Sequence, residues 1–496
     1  MKYISTRDKT VSLTASQAIA QGLARDGGLL TPAYLPKIGL DFLEGLRNKT
    51  YGQRAVAVMK LFLEDFTEEE LTDFTQAGYY GPEKFDDPRI APLTVLDDRT
   101  ACLELWHGPT SAFKDMALQL LPHLLTASLA KNNEEKTVCI LVATSGDTGK
   151  AALEGFRDVD RTRILVFYPK DGVSEVQGLQ MKTQEGKNVG VCAVHGNFDD
   201  AQTGVKILFS DEKLRADLAQ RGYFLSSANS INWGRILPQV VYYISAYCDL
   251  LEAGKIALGD KVNYCVPTGN FGNILACWFA KQMGLPVGKL LCASNSNNVL
   301  TEFIRTGVYD KNRTFYTTMS PSMDILVSSN LERLLFFLSD GDDKAVADYM
   351  RQLNTAGTYT VSDDLKARLQ AEFYGGFCDE AETARIIRAV WEKNGYLIDP
   401  HTAVAYGVLC EYREKTGDKT PAVFVSTASP FKFCADVLQS LGQKKVAPGL
   451  DALDQLADLS GRPAPKPLAA LRNKAVRFQE SVDKEKMIDV VLEMLR

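Results

Sequence analysis

One lysine of the sequence occupies an unusual position for a purely solvating charge. Lys114 follows a turn marked by Gly108 and Pro109, and it precedes an apolar stretch, residues 116–121, that we expect to begin a helix capped by Asp115. A lysine amine in water is almost wholly protonated, with a pKa of about 10.4. Desolvation or a neighbouring positive charge lowers that value, and the neutral amine can then form a Schiff base with a carbonyl compound. The segment therefore permits either a nucleophilic lysine or a helix-start lysine that faces water.

A glycine-rich turn at residues 266–273 has the composition of a phosphate-binding loop. It lies between a β-rich run, residues 261–266, and an amphipathic helical pattern, residues 273–283. Glycines let backbone N–H groups close around an anion, and a helix N-terminus adds free donors and a favourable dipole. The turn matches neither the dinucleotide-binding fingerprint nor the Walker loop. A turn that needs glycine only for steric reasons would have the same composition.

Three further segments carry polar groups next to predicted strands or helices. Residues 143–149 offer hydroxyls before a helix, which suits a carboxylate or phosphate oxygen if Asp147 points elsewhere. A hydroxyl in the turn at residues 426–430 could hydrogen-bond a neutral ring nitrogen, and the planar guanidinium of Arg235 suits phosphate oxygens. The alternatives are a helix cap, a strand-end turn and a solvated helix-start arginine. His107 is interpreted as a hydrogen-bonding loop residue.

These turns lie within a regular alternation of strands and helices, which predicts parallel sheets with crossover helices. Strands are predicted at residues 137–143, 163–168, 189–194, 261–266, 289–293 and 422–426, and helices at 150–156, 199–209, 233–252, 273–283, 380–394 and 401–414. Four more helices, at 299–306, 330–339, 344–354 and 362–372, interrupt the alternation as an insertion near the rim of the site. N-terminal helices are predicted at 12–25, 51–62 and 67–77, the last with a capping box of Thr67 and Glu70. Pro122 should kink or end the helix that follows Lys114.

The overall composition narrows the class of protein. The chain has 496 residues, a formal net charge of −6 and no long basic run, so neither nucleic acid nor an anionic membrane is an expected partner. Ten separate cysteines and four scattered histidines indicate neither a disulfide framework nor a metal site, and we expect reduced thiols in the cytoplasm. Apolar runs are shorter than the roughly 20 residues of a membrane-spanning helix.

The motifs, taken together and in order, resemble the threonine synthase family of pyridoxal-phosphate enzymes. The resemblance covers nearly the whole chain and is carried by residues 107–115, 143–149, 168–170, 196–199, 227–235 and 266–273. Later blocks at 320–325, 328–333 and 399–405 are similar to the long bacterial and fungal branch. One departure is Ser429, where many relatives have histidine; we do not expect it to abolish cofactor binding.

The resemblance implies an α/β fold of the tryptophan synthase β-like class (fold type II pyridoxal-phosphate enzymes), with two open, mostly parallel sheets flanked by helices and an N-terminal helical lobe. It implies four parts: an N-terminal domain of residues 1–90, a large cofactor-binding domain of residues 91–135 and 255–450 with a helical insertion at about 300–375, a small substrate-closing domain of residues 136–254, and a C-terminal helical tail of residues 451–496, behind a proline-rich linker.

The resemblance also implies roles for individual residues. Lys114 would be the catalytic residue, holding the cofactor as a Schiff base and moving protons once substrate displaces it. The cofactor phosphate would be lined by Gly269, Asn270, Phe271, Gly272 and Asn273, and the pyridine nitrogen would face Thr427. The substrate carboxylate would be received by Ser145, Gly146, Asp147 and Thr148, and the substrate phosphate by Asn229, Ser230 and Arg235. No metal is implied.

The implied reaction converts O-phospho-L-homoserine and water to L-threonine and phosphate, by β,γ-elimination and β-addition, as the last step of threonine biosynthesis in a monomer or homodimer. Other enzymes on the same fold remain alternatives: an O-phosphohomoserine phospho-lyase that releases 2-oxobutyrate, or a serine/threonine dehydratase. A non-catalytic metabolite-binding protein would not need Lys114. A nucleotide-binding enzyme would explain neither Lys114 nor the turn at residues 426–430.

Overall fold

The N-terminal part of the chain is helical around a two-stranded antiparallel ribbon. The computed structural model describes residues 1–495, and this part contains β1 (Tyr3–Ser5), α1 (Ala15–Gln21), β2 (Leu30–Pro32), α2 (Leu40–Leu46), α3 (Tyr51–Lys60) and α4 (Glu68–Tyr79). The predicted capping box is confirmed: the hydroxyl of Thr67 accepts from the N–H of Glu70, whose carboxylate accepts from the N–H of Thr67 at 2.7 Å. The first helix is shorter than predicted because Thr14 caps its start and Gly22, at φ 74°, ends it.

The segment that carries Lys114 is a loop between a strand and two short helices. It contains β3 (Leu93–Asp97), β4 (Thr100–Glu104), α5 (Asp115–Leu118) and α6 (Leu121–Lys131). The break before α6 confirms the prediction from Pro122, which lies in the first turn of α6, where its missing N–H costs nothing. The predicted cap is wrong: Asp115 is the first helical residue, and its carboxylate instead accepts from the N–H and the hydroxyl of Thr110, each at 2.8 Å.

The next segment contains most of a five-stranded sheet. Its elements are β5 (Thr137–Ala143), α7 (Asp147–Gly155), β6 (Thr162–Pro169), α8 (Glu175–Lys182), β7 (Val189–Val194), α9 (Phe198–Ser210), α10 (Glu212–Gln220), β8 (Tyr223–Ser226) and α11 (Trp233–Glu252). The three predicted strands of this segment are confirmed to within a residue. Helix α11 is almost wholly buried and packs on α3, α5 and α12 (Gly272–Met283), so it ties the N-terminal helices to the large sheet.

The remaining chain completes a six-stranded sheet and carries the predicted helical insertion. Its elements are β9 (Val262–Pro267), α12, β10 (Val287–Ser294), α13 (Val299–Thr306), β11 (Val308–Asp310), α14 (Leu331–Leu338), α15 (Asp343–Thr355), β12 (Thr358–Thr360), α16 (Asp363–Glu372), β13 (Phe373–Phe377), α17 (Glu380–Asn394), α18 (Pro400–Thr416), β14 (Ala422–Ser426), α19 (Cys434–Ser440), α20 (Asp451–Ser460), α21 (Lys466–Ala469), β15 (Ser481–Val482) and α22 (Met487–Met494). Short 3-10 helices lie at Pro321–Met323, Pro430–Phe433, Ala470–Asn473 and Lys484–Lys486.

The strand order brings the predicted site loops to one edge of the large sheet. The order is β13-β10-β9-β14-β4-β3, parallel except for the β3–β4 pair, with β14 between β9 and β4. The loops that follow β4, β9 and β14 therefore leave the same edge, where ligands bind in open α/β sheets. The parallel small sheet has the order β15-β7-β6-β5-β8, so the tail, predicted to be helical, also contributes an edge strand beside β7.

Within residues 1–495, each helix is too short or too polar to cross a membrane. The same residues contain no group of three or more His, Cys, Asp or Glu side chains placed to hold a metal ion. All ten cysteines are free thiols, and nine of them are buried.

Candidate active site

A cleft of about 850 Å³, counting its open mouth, lies where the loops of the two sheets meet. Most of the predicted site residues line it: Lys114, Ser145, Thr148, Asn229, Ser230, Arg235, Gly269, Asn270, Phe271, Gly272, Asn273 and Thr427. Gly146 and Asp147, also predicted as substrate contacts, are not among its lining residues. The structure thus gathers residues separated by more than 300 positions in the sequence around one lysine.

The loop before Lys114 is bound to the end of β14 like a short strand. Ala112 and Ala428 form an antiparallel bridge, and the N–H of Phe113 donates to the carbonyl of Thr427 at 2.8 Å. This backbone pairing places Lys114 and Thr427 side by side in the cleft. Two turns that the sequence shows as unrelated are therefore one structural unit.

The Lys114 amine is poised to be a nucleophile. The residue is only 9% exposed, and its Nζ lies 3.3 Å from Oγ of Ser322 and 3.8 Å from Oδ2 of Asp147. Burial lowers the pKa of Lys114 to about 8, with Asp147 opposing the decrease and the charges of Lys432 and Arg235 adding to it. A substantial fraction of the amine is neutral near pH 8 and can attack a carbonyl carbon.

The turn between β9 and α12 has the backbone form of an anion-binding loop. Phe271 caps α12 in the left-handed region at φ 63°, which costs a non-glycine residue about 1–2 kcal/mol. The carbonyls of Gly269 and Asn270 accept hydrogen bonds from Ser328 at 2.8 Å and Asn330 at 3.1 Å. The carbonyls are thus tied to the insertion, while the first N–H groups of α12, which have no intrahelical partners, belong to residues that line the cleft.

Two buried donors in the cleft lack partners and fit a phosphate group. The amide Oδ1 of Asn273 accepts from the hydroxyls of Tyr242 and Tyr243, the latter at 2.6 Å, but its Nδ2 has no partner within residues 1–495. Nη1 of Arg235 donates to the carbonyl of Ala228 at 2.6 Å, whereas its Nε is equally without a partner in that part of the chain. Because unpaired buried donors are costly, these groups are suited to ligand oxygens, including those of a phosphorylated cofactor.

The turn between β5 and α7 holds one oxygen of its carboxylate outside the cleft lining. Oδ1 of Asp147 accepts from Nζ of Lys432 at 2.6 Å and from Nε2 of Gln177 at 2.8 Å. Although burial acts to raise it, the charges of Lys432 and Lys114 and these hydrogen bonds hold the pKa of Asp147 well below its ordinary value. The condition under which this turn can receive an anion, that Asp147 points elsewhere, is met for Oδ1 only, because Oδ2 lies 3.8 Å from Nζ of Lys114.

Three residues of the site were missed by sequence reasoning. Ser322 and His401 line the cleft, and Nε2 of His401 accepts the N–H of Ser322 at 3.2 Å while its Nδ1 lies 2.7 Å from Asp399. Lys432 is fully buried behind Asp147. The blocks at 320–325 and 399–405 contain Ser322 and His401 but gave them no role, and the signal for Lys432 was its position between two phenylalanines, which is unusual for a solvated lysine.

Two further sequence interpretations concern His107 and Ser429, the position where many relatives have histidine. As predicted, His107 is a hydrogen-bonding loop residue: Nδ1 and Nε2 lie 2.7 Å from Asp86 and 2.8 Å from Glu104. Although burial acts to lower it, these hydrogen bonds raise the pKa of His107 to about 9. Ser429, the departure from histidine, caps the 3-10 helix Pro430–Phe433 through its Oγ and is not a lining residue of the cleft.

Three family models match the chain in succession. They are described as threonine synthase N terminus, over residues 2–79, pyridoxal-phosphate dependent enzyme, over residues 100–428, and threonine synthase, C-terminal, over residues 402–490. The middle model by itself spans all residues that line the cleft, from Phe113 to Thr427.

Known proteins match over most of the chain. Threonine synthase-like 1 of Homo sapiens is 41% identical over an alignment of 462 residues that covers 90% of this chain and 61% of that protein, so the chain spans about three-fifths of that relative. Threonine synthase of Pseudomonas aeruginosa is 41% identical and is covered to 94%, with 93% of this chain aligned. The crystal structure of pyridoxal-phosphate-bound threonine synthase from Brucella melitensis superimposes with a TM-score of 0.86, at 38% identity, over 100% of this chain and 98% of that one.

These matches confirm the fold class and the resemblance drawn from the motifs. They also agree with the cleft, which joins a buried lysine to donors suited to a phosphate. The chain belongs to the threonine synthase family of pyridoxal-phosphate-dependent enzymes.

Proposed function

We propose that the protein converts O-phospho-L-homoserine and water to L-threonine and phosphate. The observation that carries the proposal is the pairing of one partly neutral lysine with two separate sets of anion donors in a single cleft. One set is the start of α12 with Asn273, and the other is Arg235 with the preceding residues 229–230. A reaction that joins a phosphorylated cofactor to a phosphorylated substrate needs two such sets.

The cofactor fits the first set of donors. Residues 269–273 would hold the phosphate of pyridoxal phosphate, Lys114 would hold its aldehyde carbon, and the hydroxyl of Thr427 would face its ring nitrogen. When bound, the cofactor supplies an electron sink for negative charge that develops on the substrate. A hydroxyl cannot readily protonate the ring nitrogen, so Thr427 makes this sink weaker than a carboxylate partner would.

The substrate would be oriented by the other side of the cleft. Ser145 and Thr148 would donate to its carboxylate, while Gly146 and Asp147 shape the turn that presents them. Asn229, Ser230 and Arg235 would hold its phosphate, with Arg235 balancing the charge of the leaving group. Lys114 Nζ, with its lowered pKa, would take the proton from Cα and move the proton at Cβ.

We further propose that the chain acts in the cytoplasm as a monomer or homodimer, without nucleic-acid or membrane partners, which its net charge of −6 supports. The proposed division into domains at residues 1–90, 91–135 with 255–450, 136–254 and 451–496 lets the small sheet close over substrate and exclude water. Sedimentation of the purified protein tests whether it is a monomer or a homodimer. Limited proteolysis with and without substrate tests the domain division and the closure over substrate.

Product analysis tests the proposed reaction. Protein loaded with pyridoxal phosphate should release phosphate and threonine from O-phospho-L-homoserine in equal amounts. Phosphate with 2-oxobutyrate instead of threonine would identify a phospho-lyase, and 2-oxobutyrate formed from threonine itself would identify a dehydratase. Release of phosphate by a Lys114→Ala variant at the parent rate would refute the role of the lysine.

A further inference from the structure

Lys432 is a buried cation outside the predicted active site. It lies in the 3-10 helix Pro430–Phe433 after β14 and is 0% exposed. Its Nζ lies 2.6 Å from Oδ1 of Asp147 and donates to the carbonyl of Thr110 at 3.0 Å. A buried charge is costly unless it is paired, and Asp147 supplies the partner for the Lys432 ammonium.

The Lys432 ammonium joins three segments that build the site. Thr110 belongs to the loop that leads to Lys114 and is itself fixed to Asp115 by two hydrogen bonds of 2.8 Å. Asp147 begins α7 of the small sheet. One side chain from the end of β14 thus connects the lysine loop of the large sheet to the substrate loop of the small sheet.

Asp147 divides its two oxygens between two lysines. Oδ1 is taken up by Lys432 and by Gln177, whereas Oδ2 faces Lys114 at 3.8 Å and Oγ of Ser322 at 3.4 Å. A separation of 3.8 Å is longer than a hydrogen bond, so the carboxylate attracts the Lys114 amine without binding it directly. This division depends on Lys432, because a buried carboxylate without that cation would need Lys114 as its close counter-ion.

We propose that Lys432 is a positioning residue that holds Asp147 by one oxygen and, through its charge, keeps that carboxylate from capturing the reactive amine of Lys114. It depends on the proposed function in one respect, namely that Lys114 is the reactive amine.

The charged and titratable groups that face Lys114 come from five segments. They are Asp147 on α7, Lys432 after β14, Arg235 on α11, Asp115 on α5 and His401 with Asp399 at the start of α18. Among them, Lys432 is the cation that contacts the same carboxylate as Lys114, that of Asp147. Removal of its charge should therefore strengthen the attraction between Asp147 and Lys114 and raise the pKa of the amine.

The proposal is tested on the full chain without cofactor, by the pH dependence of Lys114 acylation followed by peptide mass spectrometry. Lys432→Met keeps the volume and removes the charge, so the midpoint of labelling should rise by one pH unit or more, which lowers the rate at pH 7 about tenfold. Lys432→Arg keeps the charge and should leave the midpoint near that of the parent. A folded Lys432→Met protein with the parent midpoint would overturn the proposal.

A double-mutant comparison tests whether Lys432 acts through Asp147, with Lys432→Gln as the second neutral variant where Lys432→Met does not fold. Asp147→Asn alone should lower the midpoint, because it removes the attracting anion. The Asp147→Asn, Lys432→Met protein lacks the buried pair altogether, and its midpoint should lie only slightly above that of Asp147→Asn, since loss of direct repulsion is the one effect left. A rise as large as the one that Lys432→Met causes in the parent would overturn the proposal, because Lys432 would then act on Lys114 without Asp147. The labelling uses no substrate, so its result is independent of which product the enzyme releases.

Discussion

Replacement of Arg235 by methionine should change stability and ligand binding in opposite directions. Arg235 is 3% exposed, and burial lowers its pKa from 12.5 to about 10. Because the pKa in the folded state lies below that of the unfolded chain, folding penalises the charged form at every pH below about 10. The lowered pKa corresponds to a folding penalty of about 3 kcal/mol, which the substitution removes. The substitution also removes the hydrogen bond to Ala228, which costs about 1 kcal/mol. The ligand-free variant should therefore be more stable by about 2 kcal/mol.

The same substitution should weaken phosphate binding. A hydrogen bond between a charged donor and an anion contributes about 1.5–3 kcal/mol, so the dissociation constant for inorganic phosphate should rise about 10- to 150-fold. Urea unfolding of the cofactor-free protein measures the first effect, and calorimetric titration of the cofactor-loaded protein with phosphate measures the second. Binding of pyridoxal phosphate should change little, because its phosphate is assigned to residues 269–273.

Arg333 provides the matched control. It is also fully buried, and burial lowers its pKa to about 9, but its donors are taken up by carbonyls of Leu30, Ser230 and Ile231. Arg333→Met would remove a larger burial penalty, but it would leave these carbonyls and Oδ1 of Asn330 unpaired, at about 1–3 kcal/mol each, and should destabilise the protein. If Arg235→Met destabilises the protein as Arg333→Met does, or leaves phosphate affinity unchanged, the assignment of Arg235 as an unpaired cation awaiting an anion is wrong.

Three further predictions concern the lysine loop and the phosphate loop. Gly269→Ala would place a Cβ atom 2.6 Å from the carbonyl oxygen of Ser322, so pyridoxal phosphate affinity should fall at least tenfold, whereas Gly45→Ala, with open space around it, should leave affinity and folding intact. His107→Gln should lose about 1–3 kcal/mol of unfolding free energy at pH 6; because the folded pKa is raised to about 9, the difference from the parent should disappear as the pH rises through 9, which urea unfolding from pH 6 to 10 measures. Borohydride should fix the cofactor to a peptide containing Lys114, and a Lys114→Ala protein that retains the label elsewhere would contradict the assignment.

Local sequence patterns predict much of the fold because the strands concerned are buried on both faces. The run Thr137–Ala143 is mostly apolar and rich in β-branched residues, and the structure places it inside the small sheet, between β6 and β8. The strand Thr100–Glu104 is missed because it is short, begins and ends on polar residues, and follows a tight polar turn. Its pairing with β14, more than 300 residues later, defines it as a strand. No local window contains that information.

In the site, too, some features have a local sequence signal and others depend on contacts between distant residues. Turns at residues 143–149, 266–273 and 426–430 are recognisable because each combines glycine or hydroxyl groups with a strand end, and those features act locally. Ser322 and His401 have no such signature, since they meet in the cleft through a hydrogen bond of 3.2 Å that only the folded chain provides. Asp115 is predicted as a helix cap from its position and is instead used to fix Thr110. Tertiary contacts here override a local preference.

The charge distribution of the cleft explains why its loops are both recognisable and strained. Lys114, Lys432 and Arg235 converge on the cleft region, and within residues 1–495 Asp147 is the one carboxylate in ion-pair contact with any of the three. This imbalance is unfavourable for the ligand-free protein, but it supplies positive charge for a bound anion, and the left-handed Phe271 adds backbone donors at a further cost. Anions that bind the cleft should therefore stabilise the fold more than their number of contacts alone would indicate, because each also relieves an unpaired buried donor or cation. Binding and stability are coupled through the same groups, so a substitution that removes an unpaired cation such as Arg235 should raise stability and weaken anion binding.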